Sequence, residues 1–302
     1  MKRRQGIPPT IDGLDPRASG TGPFARAPFL EAVTDLTGEP VTTLTDGRSA
    51  IVVAESEGEV RFAGDSDLTD YHCPLGSEVK PLVATLVDEA EPGTRFRFDS
   101  LPEEAAAELA DAFSSAGLSA TSTEHAVTAV VDISDGYDAY MDAIGKKQRH
   151  EVRRKRRRYV DEIGELIHEV HVSEDWVIDE FFRLHRLADG EKGEFMTPPR
   201  EEFFRTLLEQ PGWRLDALRI PGSRQISACL FSYVDDEGVY LYNSAYDPDL
   251  GDASPGVAIV GSMIEQACSE GLRRFDFLKG DEVYKFRLGA DRRPLYEVTA
   301  VA

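Results

Sequence analysis

The chain has 302 residues, 41% of them hydrophobic and 29% charged, and a formal net charge of −21. That profile excludes a disordered chain and supplies apolar material for two domains of roughly 100–200 residues each. So acidic a mean field also excludes diffuse attraction to nucleic acid or anionic lipid, so any polyanion must be met by a local patch.

In chain order, residues 1–22 are rich in Gly, Pro, Thr and Arg without periodicity and read as a mobile N-terminal tail. Their basic start, MKRRQGIPPTIDG, is followed by no apolar h-region, which points to a cytoplasmic protein. Residues 23–131 read as a first lobe. Helices are expected at PFLEAVTDLTG, EVKPLVATLVDEA and PEEAAAELADAFSSAG, and strands at VTTLTDG, SAIVVAES, EVRFAGD, RFRFDSL and HAVTAVVDI. Residues 132–302 read as a second lobe. It opens with one or two helices over DGYDAYMDAIGKKQRHEVRRKRRRYVDEIGEL, then helices at DWVIDEFFRLHRLADG and REEFFRTLLEQ. Strands WRLDALRI, QISACLFSYVDD and GVYLYNSAYD follow, then the helix PGVAIVGSMIEQACSEG, the strand RRFDFLK, a short helix at DEVYKFRLG and a last strand PLYEVTAV. Sheets layered against helices make this an α/β (α+β layered) protein.

No segment reaches the ~20 apolar residues of a membrane span. Cys73, Cys229 and Cys268 are scattered, with no CxxC and no Cys/His pairing at ligand spacing. A reducing compartment, no disulfide framework and no metal site are the expectation.

Two features carry chemistry. The first is YNSAYDPDLGDASPGVAIV, a strand, a Gly/Asp/Pro loop and a helix opened by Ser254, Pro255, Gly256 and Val257. Ser is a favoured N-cap and Pro a favoured first helical residue, and Gly256 leaves backbone amides uncovered. Such a start is an anion site, or simply a capped helix. The second is the block KKQRHEVRRKRRR, residues 146–158, with nine Lys or Arg against one Glu. Its local balance of +8 leaves −29 for the remainder. On a helix, Met141, Val152, Tyr159, Ile163 and Leu166 fall on one narrow seam and the cations cover the rest.

FAGDSDLTDYHCPLG, DAYMDAIGKKQRHEVRRKRRR, FFRLHRLADG, YNSAYDPDLGDASPG and above all FDFLKGDEVYKFRLG resemble the CelD-like, FemAB-related branch of the GNAT acyltransferases, over nearly the whole chain. The resemblance implies two GNAT-like lobes, each a mixed, mostly antiparallel sheet flanked by helices. It implies an N-acyltransferase moving an acyl group, such as acetyl, from acyl-coenzyme A to an amine by direct attack in a ternary complex, with no metal. The acceptor would be a small molecule or a cell-envelope precursor. FemAB-type relatives take aminoacyl-tRNA as donor instead, and a non-catalytic polyanion binder of this fold is a further alternative. The loop GDASPG departs from the common GNAT phosphate loop, which has Gln or Arg and a spaced Gly pair.

The resemblance places the donor phosphates at Ser254, Pro255, Gly256 and Val257. It places backbone donors for the acyl oxygen among Asn243, Ser244 and Ala245, and a proton donor for the leaving thiolate at Tyr284. It also places a charge-stabilising cation at Lys285, and Arg149 and Arg153 in a cleft wall facing an anionic acceptor. From the residues themselves, Asp276 alternates with Phe275 and Phe277 and is either a base or half of a structural ion pair. Tyr246 and Asp247 are alternative substrate contacts, Asp247 being equally a turn residue before Pro248. His185 shares an apolar helix face with Ile178, Phe181 and Phe182, as a core histidine or a substrate contact.

Overall fold

The computed structural model describes residues 1–65, 67–172 and 175–302. It divides into two units, Met1–Thr128 with Arg293–Ala302, and Ala129–Arg292. Thirteen strands and ten α-helices occur among the described residues.

The first unit runs β1 (Lys2–Gln5), a 3₁₀ turn at Pro9–Gly13, α1 (Ala27–Thr37), β2 (Val41–Thr45), β3 (Ser49–Ser56), β4 (Glu59–Phe62) and β5 (Leu75–Gly76). It continues with α2 (Lys80–Glu89), β6 (Arg95–Pro102), α3 (Glu103–Ser115) and β7 (Thr121–Asp132), whose end enters the second unit. There follow α4 (Gly136–Ala143), α5 (Lys146–Glu162), β8 (Ile167–His171), α6 (Asp175–Arg186), α7 (Glu191–Phe195) and α8 (Pro198–Leu208). The strands β9 (Trp213–Arg219), β10 (Ile226–Val234) and β11 (Gly238–Tyr246) come next, then a 3₁₀ segment at Pro248–Ala253. The chain closes with α9 (Pro255–Ser269), β12 (Arg274–Lys279), α10 (Val283–Arg287) and β13 (Asp291–Val301).

One order is laid down twice. Apart from α1, the two-residue β5 and α6–α8, four strands, a helix, a strand, a helix and a strand appear as β1–β4, α2, β6, α3, β7 and again as β8–β11, α9, β12, α10, β13. In the first unit the strands lie β1-β2-β3-β4-β6-β13, antiparallel except that β4 and β6 are parallel. In the second they lie β8-β9-β10-β11-β12, antiparallel except that β11 and β12 are parallel. Antiparallel neighbours need only short turns, whereas each parallel pair needs a helical crossover, here α2 and α9.

Each unit has its own core. Phe96, Phe98, Leu109 and Phe113 pack β6 and α3 into the first. In the second, α9 is buried through Ile259, Met263 and Ile264 against Val239, Leu241 and Phe275. The seam expected for the basic segment docks it here: Val152 and Tyr159 are the buried residues of α5. The Tyr159 ring, fully buried, supplies about 1.5–3 kcal/mol of apolar burial, and its hydroxyl pairs with Ser227 Oγ at 2.8 Å.

Two expectations differ from the structure, and two elements lie outside them. Residues 1–22 are not a loose tail: β1 pairs with β2, Ile11 is buried, and Arg293 donates to the Ser19 and Gly20 carbonyls at 2.7 Å. The lobe boundaries move, because residues 293–302 belong to the first unit, where β13 pairs with β6. The edge strand β8, whose polar residues hide its alternation, and the one-turn helix α7 were not expected.

Candidate active site

β11 and β12 are paired over only three residues each, Gly238–Tyr240 with Arg274–Asp276, yet β11 continues to Tyr246 and β12 to Lys279. Beyond Tyr240 and Asp276 no ladder joins them, so the strands part. Backbone polar groups of the later part of β11 are thereby left for another partner.

The first arm of the parting is β11. Its register against β10 slips between Phe231 and Ser232, so that Tyr242 is the extra residue of a β-bulge. The bulge sets neighbours on one face. The Tyr242 ring lies 5.7 Å from Phe204 of α8, and Asn243 Oδ1 lies 3.0 Å from His185 Nε2 of α6. His185 is 2% exposed and stacks on Phe195 at 5.5 Å. Burial lowers its pKa, and the bond to Asn243 offsets part of that shift. Tyr246, past the bulge, is exposed and lies against the start of α9. A Cβ on Gly256 would sit 3.4 Å from its ring, and Lys192 Nζ of α7 lies 5.8 Å from the ring centre.

Asp247 is spent on the turn, accepting from Asp249 N at 3.0 Å. Ser254 occupies the N-cap position of α9 but does not act as the expected side-chain cap. Its backbone is left-handed, φ 59°, and its hydroxyl makes no capping bond. The first helical bond is Ala258 N to the Ser254 carbonyl at 3.1 Å. The amides of Gly256 and Val257 therefore precede the helical ladder, and Pro255 has none.

The second arm is β12 and α10. Asp276 is fully buried and accepts from Leu278 N at 2.8 Å. That bond holds Leu278 in a left-handed conformation, φ 61°, and the turn aims three successive carbonyls inward. Lys285 Nζ meets them at 2.6 Å (Lys279), 3.4 Å (Leu278) and 3.5 Å (Gly280), and pairs with Glu282 at 2.9 Å. The ammonium is engaged by the turn rather than turned outward, so the geometry gives it a structural role. Of the two roles expected for Asp276, its burial and its bond to Leu278 N favour the structural one. Tyr284 differs: it is 43% exposed, its ring stands edge-on to Phe277 at 6.0 Å, and burial together with Glu282 pushes its pKa up to about 12.

The basic helix is partly neutralised. Arg149 bonds the Asp142 carboxylate and the carbonyls of Asp142 and Ile144, holding the end of α4 rather than facing a ligand. Arg154 pairs with Glu151, Arg156 with Glu265 and Arg158 with Glu162. Arg153 is exposed. Among the described residues no helix is long and apolar enough to cross a membrane, and no metal-binding cluster occurs.

Residues 146–286 match the family model described as an acetyltransferase (GNAT) domain. The fold is shared with FemX (11% identity, 98% of this chain and 97% of that one, TM-score 0.65). It is shared too with a conserved protein of unknown function from Bacteroides thetaiotaomicron (13%, 97% and 96%, 0.68). A third is described as the C-terminal domain of a lysylphosphatidylglycerol synthetase from Agrobacterium fabrum (15%, 90% and 90%, 0.62). No curated protein matches the chain by sequence. The fold is thus of the GNAT class. The chain shares its fold with FemX, and the stretch that matches the acetyltransferase (GNAT) model lies in its second half.

Proposed function

We propose that the second unit is an N-acyltransferase that takes its acyl group from a thioester donor of the acyl-coenzyme A type. The parting of β11 and β12 after three paired residues carries this reading. It leaves a slot with free strand backbone on one side, a proton donor on the other and a helix start at its end.

In this reading the donor's phosphate lies against the amides of Gly256 and Val257, where the helix dipole favours negative charge. The backbone of Asn243, Ser244 and Ala245 receives the thioester carbonyl, and the His185–Asn243 bond fixes the bulge that aims it. The amine nitrogen attacks the acyl carbon, the C–N bond forms and the C–S bond breaks. The thiolate takes the phenolic proton of Tyr284, and the proton lost by the amine passes to water. A phenol with its pKa pushed up to about 12 stays protonated through the neutral range, as a general acid requires. Acceptor contacts fall to Tyr246 and Arg153, both exposed.

Thermal unfolding with a panel of acyl-coenzyme A compounds tests the donor. A ligand at 100 times its Kd adds about 2.7 kcal/mol, and no response to any of them sinks the assignment. Tyr284→Phe should keep that stabilisation and lose about a hundredfold in transfer rate. The likeness to FemX favours a second reading, an aminoacyl donor carried on RNA. Against it, Arg149, Arg154, Arg156 and Arg158 are already paired with carboxylates.

A further inference from the structure

The second unit has six lysines. Lys146, Lys147 and Lys155 lie on α5, Lys279 ends β12 and Lys285 lies in α10. The sixth, Lys192, stands apart on α7. It is exposed, and among the described residues its ammonium has neither an ion-pair nor a hydrogen-bond partner. Glu191 and Glu194 stand on the same short helix, yet neither pairs with it.

The seat of α7 brings this amine to the first arm of the site. A Cβ on Gly193 would lie 2.1 Å from the Ala188 carbonyl oxygen, so glycine is required for the helix to come this close to the chain leaving α6. Phe195 stacks on the His185 ring at 5.5 Å and has the Arg200 guanidinium 4.0 Å from its own ring centre. So held, Lys192 Nζ lies 5.8 Å from the centre of the Tyr246 ring, the ring that lies against Gly256 at the start of α9. Its charge also reaches His185. Burial is the main cause that lowers the His185 pKa, the Lys192 ammonium lowers it further, and His185 bonds Asn243 at 3.0 Å. One amine is thus felt at both places where the donor is proposed to lie, the phosphate end at Gly256 and the carbonyl end at Asn243. Desolvation lowers the pKa of Lys192 itself from the ordinary 10.5, which raises the fraction of neutral, nucleophilic amine. At 5.8 Å the Tyr246 ring is near the far limit of a cation–π contact, so it positions the amine more than it fixes the charge.

Resting on the acyl-transfer reading above, we infer that Lys192 is a self-acylation site, its Nζ attacking the acyl carbon of a thioester bound along β11. The ammonium first gives one proton to water. The nitrogen then forms the C–N bond as the C–S bond breaks, the thiolate takes the Tyr284 phenolic proton, and the nitrogen's second proton passes to water. Tyr284 regains its proton from solvent. The flexible four-carbon stem gives the amine its reach. The product is a stable amide, so each chain is marked once and the mark is not a step of turnover. It exchanges a cation beside Tyr246 for a larger, neutral group. A cation reserved for an anionic substrate is the competing role, and desolvation counts against it because it penalises the charged form.

The test incubates the full chain with acetyl-coenzyme A, or with whichever acyl-coenzyme A of the panel above stabilises it most, and follows acylated peptides over time by mass spectrometry. Lys192 should be acylated roughly tenfold faster, or more, than Lys146, Lys147 or Lys155, with a rate constant independent of protein concentration. Tyr284→Phe should slow the reaction about a hundredfold. Lys192→Gln should carry no such mark and keep the rise in melting temperature given by the donor. Labelling of Lys192 no faster than of the α5 lysines, or as fast in Tyr284→Phe, overturns the inference, and so does a rate constant that rises with protein concentration. Loss of the donor's stabilisation in Lys192→Gln makes the residue a donor-holding cation and overturns it too. In each of these cases the parent chain is still stabilised by the donor, and the donor assignment stands. A parent chain that no acyl-coenzyme A stabilises removes that assignment, and the inference with it.

Discussion

The two units place a short parallel strand pair at the same point of the same element order and treat the space beyond it differently. In the first, β4 and β6 pair over Glu59–Arg61 and Arg95–Arg97 and then part, as β11 and β12 do. There the chain fills the gap itself. Leu68, Thr69, Tyr71 and His72 are buried, His72 N donates to the Ser100 carbonyl at 3.0 Å, and its ring pairs with Asp99 at 2.8 Å and stacks on Phe62. In the second unit the corresponding stretch of chain turns into the 3₁₀ segment and α9, and Asn243, Ser244 and Tyr246 keep part of their surface. One scaffold thus yields a self-filled gap and an open one. The comparison teaches that the parting of strands is a property of the fold, and that the segment following the first strand of the pair decides whether it becomes a site.

The strongest way to break that comparison is in the second arm of the open gap. Lys285→Met leaves three inward carbonyls without their donor, Glu282 being exposed, and should cost about 3 kcal/mol, since a buried acceptor left unsatisfied costs about 1–3 kcal/mol. Denaturant unfolding checks it; a Lys285→Met protein as stable as the parent, but inactive, would restore the catalytic role to Lys285. A glycine pair sharpens the contrast. Gly64 has φ 131°, and a Cβ there would lie 2.6 Å from Thr69 Oγ1 and 3.1 Å from His72 Nε2, so Gly64→Ala should cost about 2–3 kcal/mol of stability. Gly256→Ala places its methyl in ordinary contact with Tyr246. It should leave the melting temperature nearly unchanged while weakening donor binding about tenfold, read by calorimetric titration.

The smallest effect is one of pH. Burial lowers the His185 pKa below its ordinary 6.5, so the fold prefers the neutral ring. The associated stability is present above the unfolded-state pKa and is lost as pH falls from about 6.5 through the lower folded value. His185→Gln should flatten the pH dependence of the melting temperature in that window, with a change of about 1–2 °C.

Much of this was readable from the residues. Alternating β-branched runs gave the strands, and the terminal Gly of PEEAAAELADAFSSAG gave the end of α3. Val152 and Tyr159 were found on the buried seam of a basic helix, as spacing alone required. What was not readable depends on contacts distant in sequence. Residues 1–22 look loose because their anchor is Arg293. The bulge at Tyr242 is a register slip against β10, to which no residue type is bound. Asp276 and Lys285 carry the residue types of catalysis, but the left-handed Leu278 between them turns both into parts of a structural turn. Asn243 was considered only for its backbone, because nothing in its neighbourhood announces His185, 58 residues earlier.

The strand exchange at the end of the chain also sets an order of events during synthesis. β6 waits for β13, whose first paired residue, Leu295, comes 193 positions after its partner Pro102. At ribosomal speed that is on the order of ten to forty seconds in which an unpaired edge faces solvent. The edge strand reads RFRFD, with Arg95 and Arg97 exposed, and charges on an edge discourage pairing with strangers. Those arginines act before the protein is finished, as guards on a seat reserved for the last segment to arrive.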